Sequence, residues 1–288
     1  MKLNPPLSKP LPSPRRGVWG DAVWASFIFF TRLPLWRLHE PRMESYKTVV
    51  EHWPLTGWLT GGLMAATLYA GSLFLPYLVA VLLAIAVRML MTGALHEDGL
   101  ADFFDGFGGG GADRERILTI MKDSHIGTFG VLGLVLYVML LTSALFSMSP
   151  QVAALTILAA DPFAKMLTAG LITLPYARKE EEAKAKVVYR KISPLAIVSL
   201  ALQGLLPMLP LIYRSSSNLP LYGEAFSVGV IPLEGVGGEA FLPFIPSFFI
   251  FLFLYLFIRG RLRGYTGDCC GAVCLMVELS IYLTACAI

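Results

Sequence analysis

The stretch "HEDGLADFFDG", His96 to Gly106, gathers four carboxylates, one histidine and two glycines into eleven positions. Asp98, Asp102 and Asp105 are spaced i, i+4, i+7, so a helix here projects all three from one face. Like charges at that spacing repel. A hard divalent cation offsets the repulsion, and magnesium is the natural one: it takes one or two carboxylates, keeps water and shares substrate phosphates. A solvated acidic face is the competing reading. It is weakened by the apolar run just before the acids, because ionisable groups in or beside a membrane span are rare and usually functional. His96 fits a base or an interfacial histidine.

The next residues extend the cluster. "GFGGGGADRERI" supplies glycines that let backbone amides approach a phosphate, or that form a flexible connector. It has no Gly-Lys-Ser/Thr ending, so it is not a P-loop. Arg114 and Arg116 have the fork geometry that suits phosphate oxygens; lipid headgroups would satisfy them too. In "IMKDSHIGTFG", Asp123 suits a metal or a helix cap, and Lys122 suits a phosphate. Ser124 is the other cap candidate. A second polar island, "GYTGDCCGA", places Asp268 at the start of another apolar run, and Glu278 lies ten residues further inside it. Cys269, Cys270 and Cys274 stand there without a histidine or a further cysteine pair, so they read as packing residues rather than zinc ligands. Asp161 and Lys165, four apart, read as a structural ion pair.

The elements that must position these residues are membrane helices. The chain has 288 residues, 56% of them hydrophobic and only 15% charged, against about 25% charged in a soluble domain. Its mean hydropathy is +0.65. A net charge of +3 without a clustered basic face excludes nucleic-acid binding by bulk electrostatics. Strand alternation is absent, which leaves an all-α polytopic bundle. Seven stretches are long and apolar enough to span: roughly 56–74, 76–95, 128–148, 151–175, 193–213, 241–258 and 269–287.

Lysine and arginine set the orientation. The basic segments 96–127, 176–192 and 259–266, and the tail before the first span, fall on one side when the N-terminus is cytoplasmic. The segments near 75, near 150 and from 214 to 240 fall outside. Residues 1–55 read as a proline-rich cytoplasmic tail and an aromatic interfacial segment, not a signal peptide. Residues 56–288 read as one transmembrane catalytic domain with its active-site loop at 96–127 on the cytoplasmic side. Gly57 and Gly61 form a GxxxG pair, which predicts close helix packing.

"HEDGLADFFDG", "IMKDSHIGTFG" and "TGDCCGA", in that order, resemble the cobalamin synthase family, the adenosylcobinamide-GDP ribazoletransferases. "FFTRLP", "WPLTGWLTGG" and "LPYARKEE" extend the likeness over nearly the whole chain. The resemblance implies a magnesium-dependent enzyme of the bacterial inner membrane, its active site facing the cytoplasm. It implies transfer of α-ribazole, or its 5′-phosphate, onto adenosylcobinamide-GDP with release of GMP. Partners would be these two substrates and the bilayer, with self-association of the chain also expected and no nucleic acid. Position by position, Asp98, Asp102 and Asp105 match the first motif, Lys122, Asp123 and Ser124 the second, and Asp268 the third. The expected roles follow. Asp98, Asp102, Asp105 and Asp123 hold metal; Arg114, Arg116, Lys122, Ser124 and Asp268 meet substrate; His96 or an aspartate accepts a proton. Three positions depart from the pattern: Cys269–Cys270 replaces bulkier residues, Asp161 and Lys165 stand where an arginine is expected, and His125 replaces a more basic residue.

Two other classes compete. A CDP-alcohol phosphotransferase has comparable acid-rich chemistry, but Asp102 stands where its signature needs arginine. A transporter would place charges near the bilayer midplane and show inverted repeats; only Glu278 and the Asp161–Lys165 pair favour it.

Overall fold

A computed structural model describes residues 18–178, 188–216 and 238–288. The proline-rich tail, the lysines at 179, 184 and 186, and most of the expected external connector lie outside the described residues.

From residue 18 the N-terminal region is folded. Helix α1, Val18–Phe30, is apolar but only 13 residues long. The chain then returns through two 3-10 helices, Leu35–Arg37 and Met43–His52. Ser26 Oγ donates to the Val49 carbonyl at 3.1 Å, and Trp24 Nε1 donates to the His39 carbonyl at 2.8 Å. Buried Asp21 meets His39 Nε2 at 2.8 Å and accepts from Arg42 Nε at 3.1 Å. Burial would raise the Asp21 carboxyl, but these two partners outweigh it and hold it below the usual aspartate range.

The remaining helices are α2 (Trp53–Ser72), α3 (Tyr77–Thr92), α4 (Leu95–Gly110), α5 (Arg114–Lys122), α6 (Thr128–Ser147), α7 (Pro150–Ala169), α8 (Pro194–Leu205), α9 (Leu209–Ser216), α10 (Phe244–Leu262) and α11 (Gly267–Ala287). No strand occurs among the described residues; Tyr176 and Tyr265 make one isolated bridge. Five segments are long and apolar enough to cross a membrane, and α3 with α4 forms a sixth that is bent by 90°. The chain is thus a multi-pass helical membrane protein. The first of the seven expected spans is α2, which has the length at 20 residues but, with its glycines and threonines, not the apolar content.

Helices α7 and α11 are the most buried of the candidate spans, while α6 and α10 turn most of their surface outward. Outward residues such as Leu136 and Met139 on α6 and Phe249 and Phe253 on α10 are large and apolar, as a lipid-facing surface requires. The GxxxG expectation holds. A Cβ on Gly57 would stand 2.8 Å from the Pro162 backbone, and one on Gly61 would stand 2.9 Å from Asp161 Cβ. The bare glycine face is what lets α2 lie directly on α7.

The feature that positions the site is the elbow between α3 and α4. Gly93 and Ala94 both take left-handed backbone angles, φ 65° and 54°. Gly93 does so freely, whereas Ala94 bears about 1–2 kcal/mol of steric cost. Their amides return to the Leu90 and Met89 carbonyls at 3.3 and 2.8 Å, which closes α3. The expected active-site loop is consequently two helices. The glycine run Gly106–Gly110 is the last turn of α4, not a flexible connector or a phosphate loop. Each such glycine costs about 1 kcal/mol against alanine in a helix, so tertiary packing must hold this turn. Ile117 and Met121 of α5 lie against Gly110 and Gly106, where a side chain would collide.

Candidate active site on the elbow helix

Along α4 the charged residues divide by burial. Asp98 is exposed and Asp102 half-buried, while His96, Glu97 and Asp105 are buried. Asp98 stands one turn inside the helix, its amide on the Ala94 carbonyl at 2.9 Å. Gly99 rests on the backbone of Asp268, which sets the start of α11 beside this turn.

Asp105 has a clear structural use. Its Oδ2 accepts from the Gly127 amide at 2.6 Å and its Oδ1 from the Gly130 amide at 2.8 Å. A carboxylate there satisfies free N–H groups at the start of α6 and complements its dipole. The expected phosphate contact Arg114 is likewise committed. Its Nε donates to the Leu262 carbonyl at 2.7 Å and its Nη2 to the Ala177 carbonyl at 2.6 Å, stapling α5 to the end of α10 and to the strap after α7. Arg116 and Lys122 are exposed, and neither side chain has a partner among the described residues. Asp123 and Ser124 are exposed too. Asp123 Oδ1 accepts from the His125 amide and lies 2.6 Å from its Nδ1; these hydrogen bonds hold the carboxyl below its usual range.

Asp268 occupies the first turn of α11, which Thr266 caps through its hydroxyl. Arg178 Nη2 lies 3.9 Å from Asp268 Oδ2 and donates to the Leu118 carbonyl at 3.1 Å. Its side chain is only 3% exposed. In the sequence Arg178 stands out only as a charge of the basic segment 176–192 and a member of the "LPYARKEE" motif.

A second polar region, inside the bundle, was missed except for fragments. Arg88 on α3 donates through Nη1 to Glu278 Oε1 and through Nη2 to the Tyr137 hydroxyl, both at 2.6 Å. The Tyr282 hydroxyl donates to the same Glu278 oxygen at 2.5 Å, and Glu97 Oε1 lies 3.9 Å from Arg88. Lys165 pairs with Asp161, which also accepts from Thr60 Oγ1 at 2.6 Å. The expected Asp161–Lys165 pair is therefore present. The signal for the rest was a single arginine in one apolar helix and a single glutamate in another, since buried charges need partners.

His96 belongs to this interior. Its ring stacks on Trp53 with centroids 5.8 Å apart, and Trp53 stacks on Phe30 at 4.9 Å. Among the described residues, His96 Nε2 and Glu97 Oε2 have no hydrogen-bond partner. Both residues line a cavity, shared with Arg88, Lys165 and Glu278, about large enough for one water. The ring that sequence reading offered as a base thus points into the bundle, away from Asp98.

Among the described residues no three His, Cys, Asp or Glu side chains converge as a ready-made metal cage. The open face of α4 nonetheless suits magnesium. It offers hard oxygen donors on Asp98 and Asp102, one helical turn apart.

Comparison with known proteins places the whole chain in one family. The profile of the cobalamin-5-phosphate synthase family matches residues 22–286. An adenosylcobinamide-GDP ribazoletransferase of Leptospira interrogans is 32% identical over 263 residues, covering 90% of this chain and 92% of that protein. One from Leptothrix cholodnii is 33% identical, covering 88% and 90%, and one from Shewanella frigidimarina is 31% identical, covering 93% and 95%. No solved structure matches. Matched from the second turn of α1 to the end of α11, the chain belongs to the cobalamin-5-phosphate synthase family.

Proposed function

We propose that the chain joins α-ribazole, or its 5′-phosphate, to adenosylcobinamide-GDP and releases GMP, giving adenosylcobalamin or its 5′-phosphate. Family membership supports the reaction. The single structural observation that carries the site is that Asp98 is exposed and Asp102 half-buried, one turn apart on α4, while Glu97 and Asp105 of the same helix are buried. The site faces the cytoplasm of the inner membrane, on the side where the basic segments gather.

In this reading a ribose hydroxyl attacks the phosphorus bonded to the cobinamide side chain. The bridging P–O bond breaks, and GMP departs with the bridging oxygen and its electron pair. The proton of the hydroxyl passes to a carboxylate on the outer face of α4, because the His96 ring is shut beneath Trp53. Asp98 and Asp102 would hold magnesium, which when bound neutralises phosphate charge and stabilises the entering and leaving oxygens. Arg116 and Lys122 extend free cationic ends towards solvent, where they meet substrate phosphates. Arg114 and Asp105 hold α5 and α6 in place around that face, and Asp268 with Arg178 closes its α11 side.

The test uses purified protein in nanodiscs with adenosylcobinamide-GDP and α-ribazole. Asp98→Ala and Asp102→Ala should abolish most GMP release while leaving the thermal unfolding midpoint in place. Near-normal turnover in both would overturn the assignment.

A further inference from the structure

We infer that Arg32 is a substrate-binding residue whose guanidinium holds the diphosphate of the corrinoid substrate. This rests on the reaction proposed above and adds a residue from outside the three acidic motifs. Three observations carry it.

Arg32 is seated on the elbow. Its amide donates to the Met91 carbonyl at 2.7 Å. Its stem lies over Gly93 so closely that a Cβ on that glycine would stand 2.1 Å from Arg32 Nε and under 3 Å from Cγ and Cδ. The strap that carries it is held as well: Thr31 Oγ1 donates to the Phe27 carbonyl at 2.6 Å and accepts from the Leu33 amide at 3.3 Å. The side chain's position is thus built into the turn that creates α4.

The charged end is uncommitted. Arg32 is exposed, and its guanidinium has no hydrogen bond or ion pair among the described residues. In a chain where Arg88, Arg114 and Arg178 are all engaged with internal acceptors, this arginine is packed on Gly93 from Cγ to Nε and has no polar partner among the described residues. A seated fork of five donors is the arrangement that recognises phosphoryl oxygens.

Its place along the helix is also specific. Asp98 stands one turn into α4, its amide on the Ala94 carbonyl at 2.9 Å, so Arg32 and Asp98 share the elbow end of the helix. Lys122 adjoins the other end, because Met121 packs on Gly106. Along the helix the order is Arg32, Asp98, Asp102, Lys122, so the acidic stretch has a cation at each end. Acids that gather a divalent ion need phosphate charge beside them, and these cations hold that phosphate in register. A lipid phosphate could offer the same oxygens, so the test must separate the two.

Arg32→Ala and Arg32→Lys should be prepared as full-length chains in nanodiscs and compared with wild type. In Arg32→Ala, KM for adenosylcobinamide-GDP should rise about tenfold or more, while KM for α-ribazole and the unfolding midpoint stay unchanged. Arg32→Lys should restore part of the affinity. Inorganic diphosphate with magnesium, titrated calorimetrically, should bind wild type and bind Arg32→Ala at least about tenfold more weakly. Equal diphosphate binding by wild type and Arg32→Ala overturns the inference. So does a defect that appears in phosphatidylglycerol nanodiscs and vanishes in phosphatidylcholine, since the ligand is then a headgroup. Wild type that releases no GMP would sink the proposed reaction instead, and the diphosphate titration would still decide the role of Arg32.

Discussion

The bundle interior and the outer face of α4 use the same side chains for opposite ends. Inside, Arg88, Glu278, Tyr137 and Tyr282 satisfy one another, as do Lys165, Asp161 and Thr60. On the face, Asp98 is exposed, and Arg116 and Lys122 have no side-chain partner among the described residues. Charge without water must find a partner to survive; charge at the lip need not, and is left over for a ligand. The interior pairs, which at first favour transport, are occupied with holding helices together.

The sharpest way to break this contrast is to remove one charge from each region. Asp102→Ala should lower GMP release about a thousandfold, the scale of several kcal/mol of charge stabilisation in the transition state, with no change in unfolding midpoint. Asp98→Ala should do likewise. Glu278→Ala should do the reverse in kind: stranding Arg88 costs about 3–5 kcal/mol of stability, read as a large drop in the midpoint. Activity per folded molecule should be retained. If Glu278→Ala unfolds no sooner than wild type, the interior network is not structural and the comparison fails.

Asp105 sharpens the line between the regions, since it shares a spacing with the acids but has an internal task. Asp105→Ala leaves the Gly127 and Gly130 amides without their acceptor and should cost about 1.5–3 kcal/mol. Asp105→Asn should cost less, because one oxygen remains. A loss of turnover in Asp105→Asn as complete as in Asp102→Ala, at unchanged stability, would return Asp105 to the reacting face.

The smallest effect concerns acid. The folded-state pKa of Asp21 lies below its ordinary value, so its contribution to stability is present above the ordinary aspartate range and fades as pH falls through the folded value. His39→Ala should remove part of that acid-sensitive stability, seen as a flatter midpoint-against-pH curve on the acid side. An unchanged curve would show that Asp21 needs no help from His39.

Much of this was written locally in the chain. Apolar length foretold the helices, and the Gly57–Gly61 spacing foretold a close contact. The seven-residue rhythm of the aspartates foretold a charged helix face. Three things were not local. The right angle at Gly93–Ala94 depends on two left-handed residues within "MTGALHED", and that stretch reads equally well as the plain end of a span. Arg88 was hidden by the apolar residues around it, and its partner lies 190 positions away. Asp105 looked like its neighbours because periodicity reports direction but not what waits there; its amide donors come from 22 and 25 residues on. Long-range pairing is invisible to local rules, and it is what divides structural acids from reactive ones.

The right angle has one more consequence. Had α3 run on upright, successive acids would have stood at different depths, about 6 Å apart for four residues. Because α4 turns 90° from α3, Asp98 and Asp102 are separated across the axis of α3 rather than along it. A reactant arriving from the aqueous phase and one carried at the lipid surface can then meet at a common height, with no passage through the hydrocarbon.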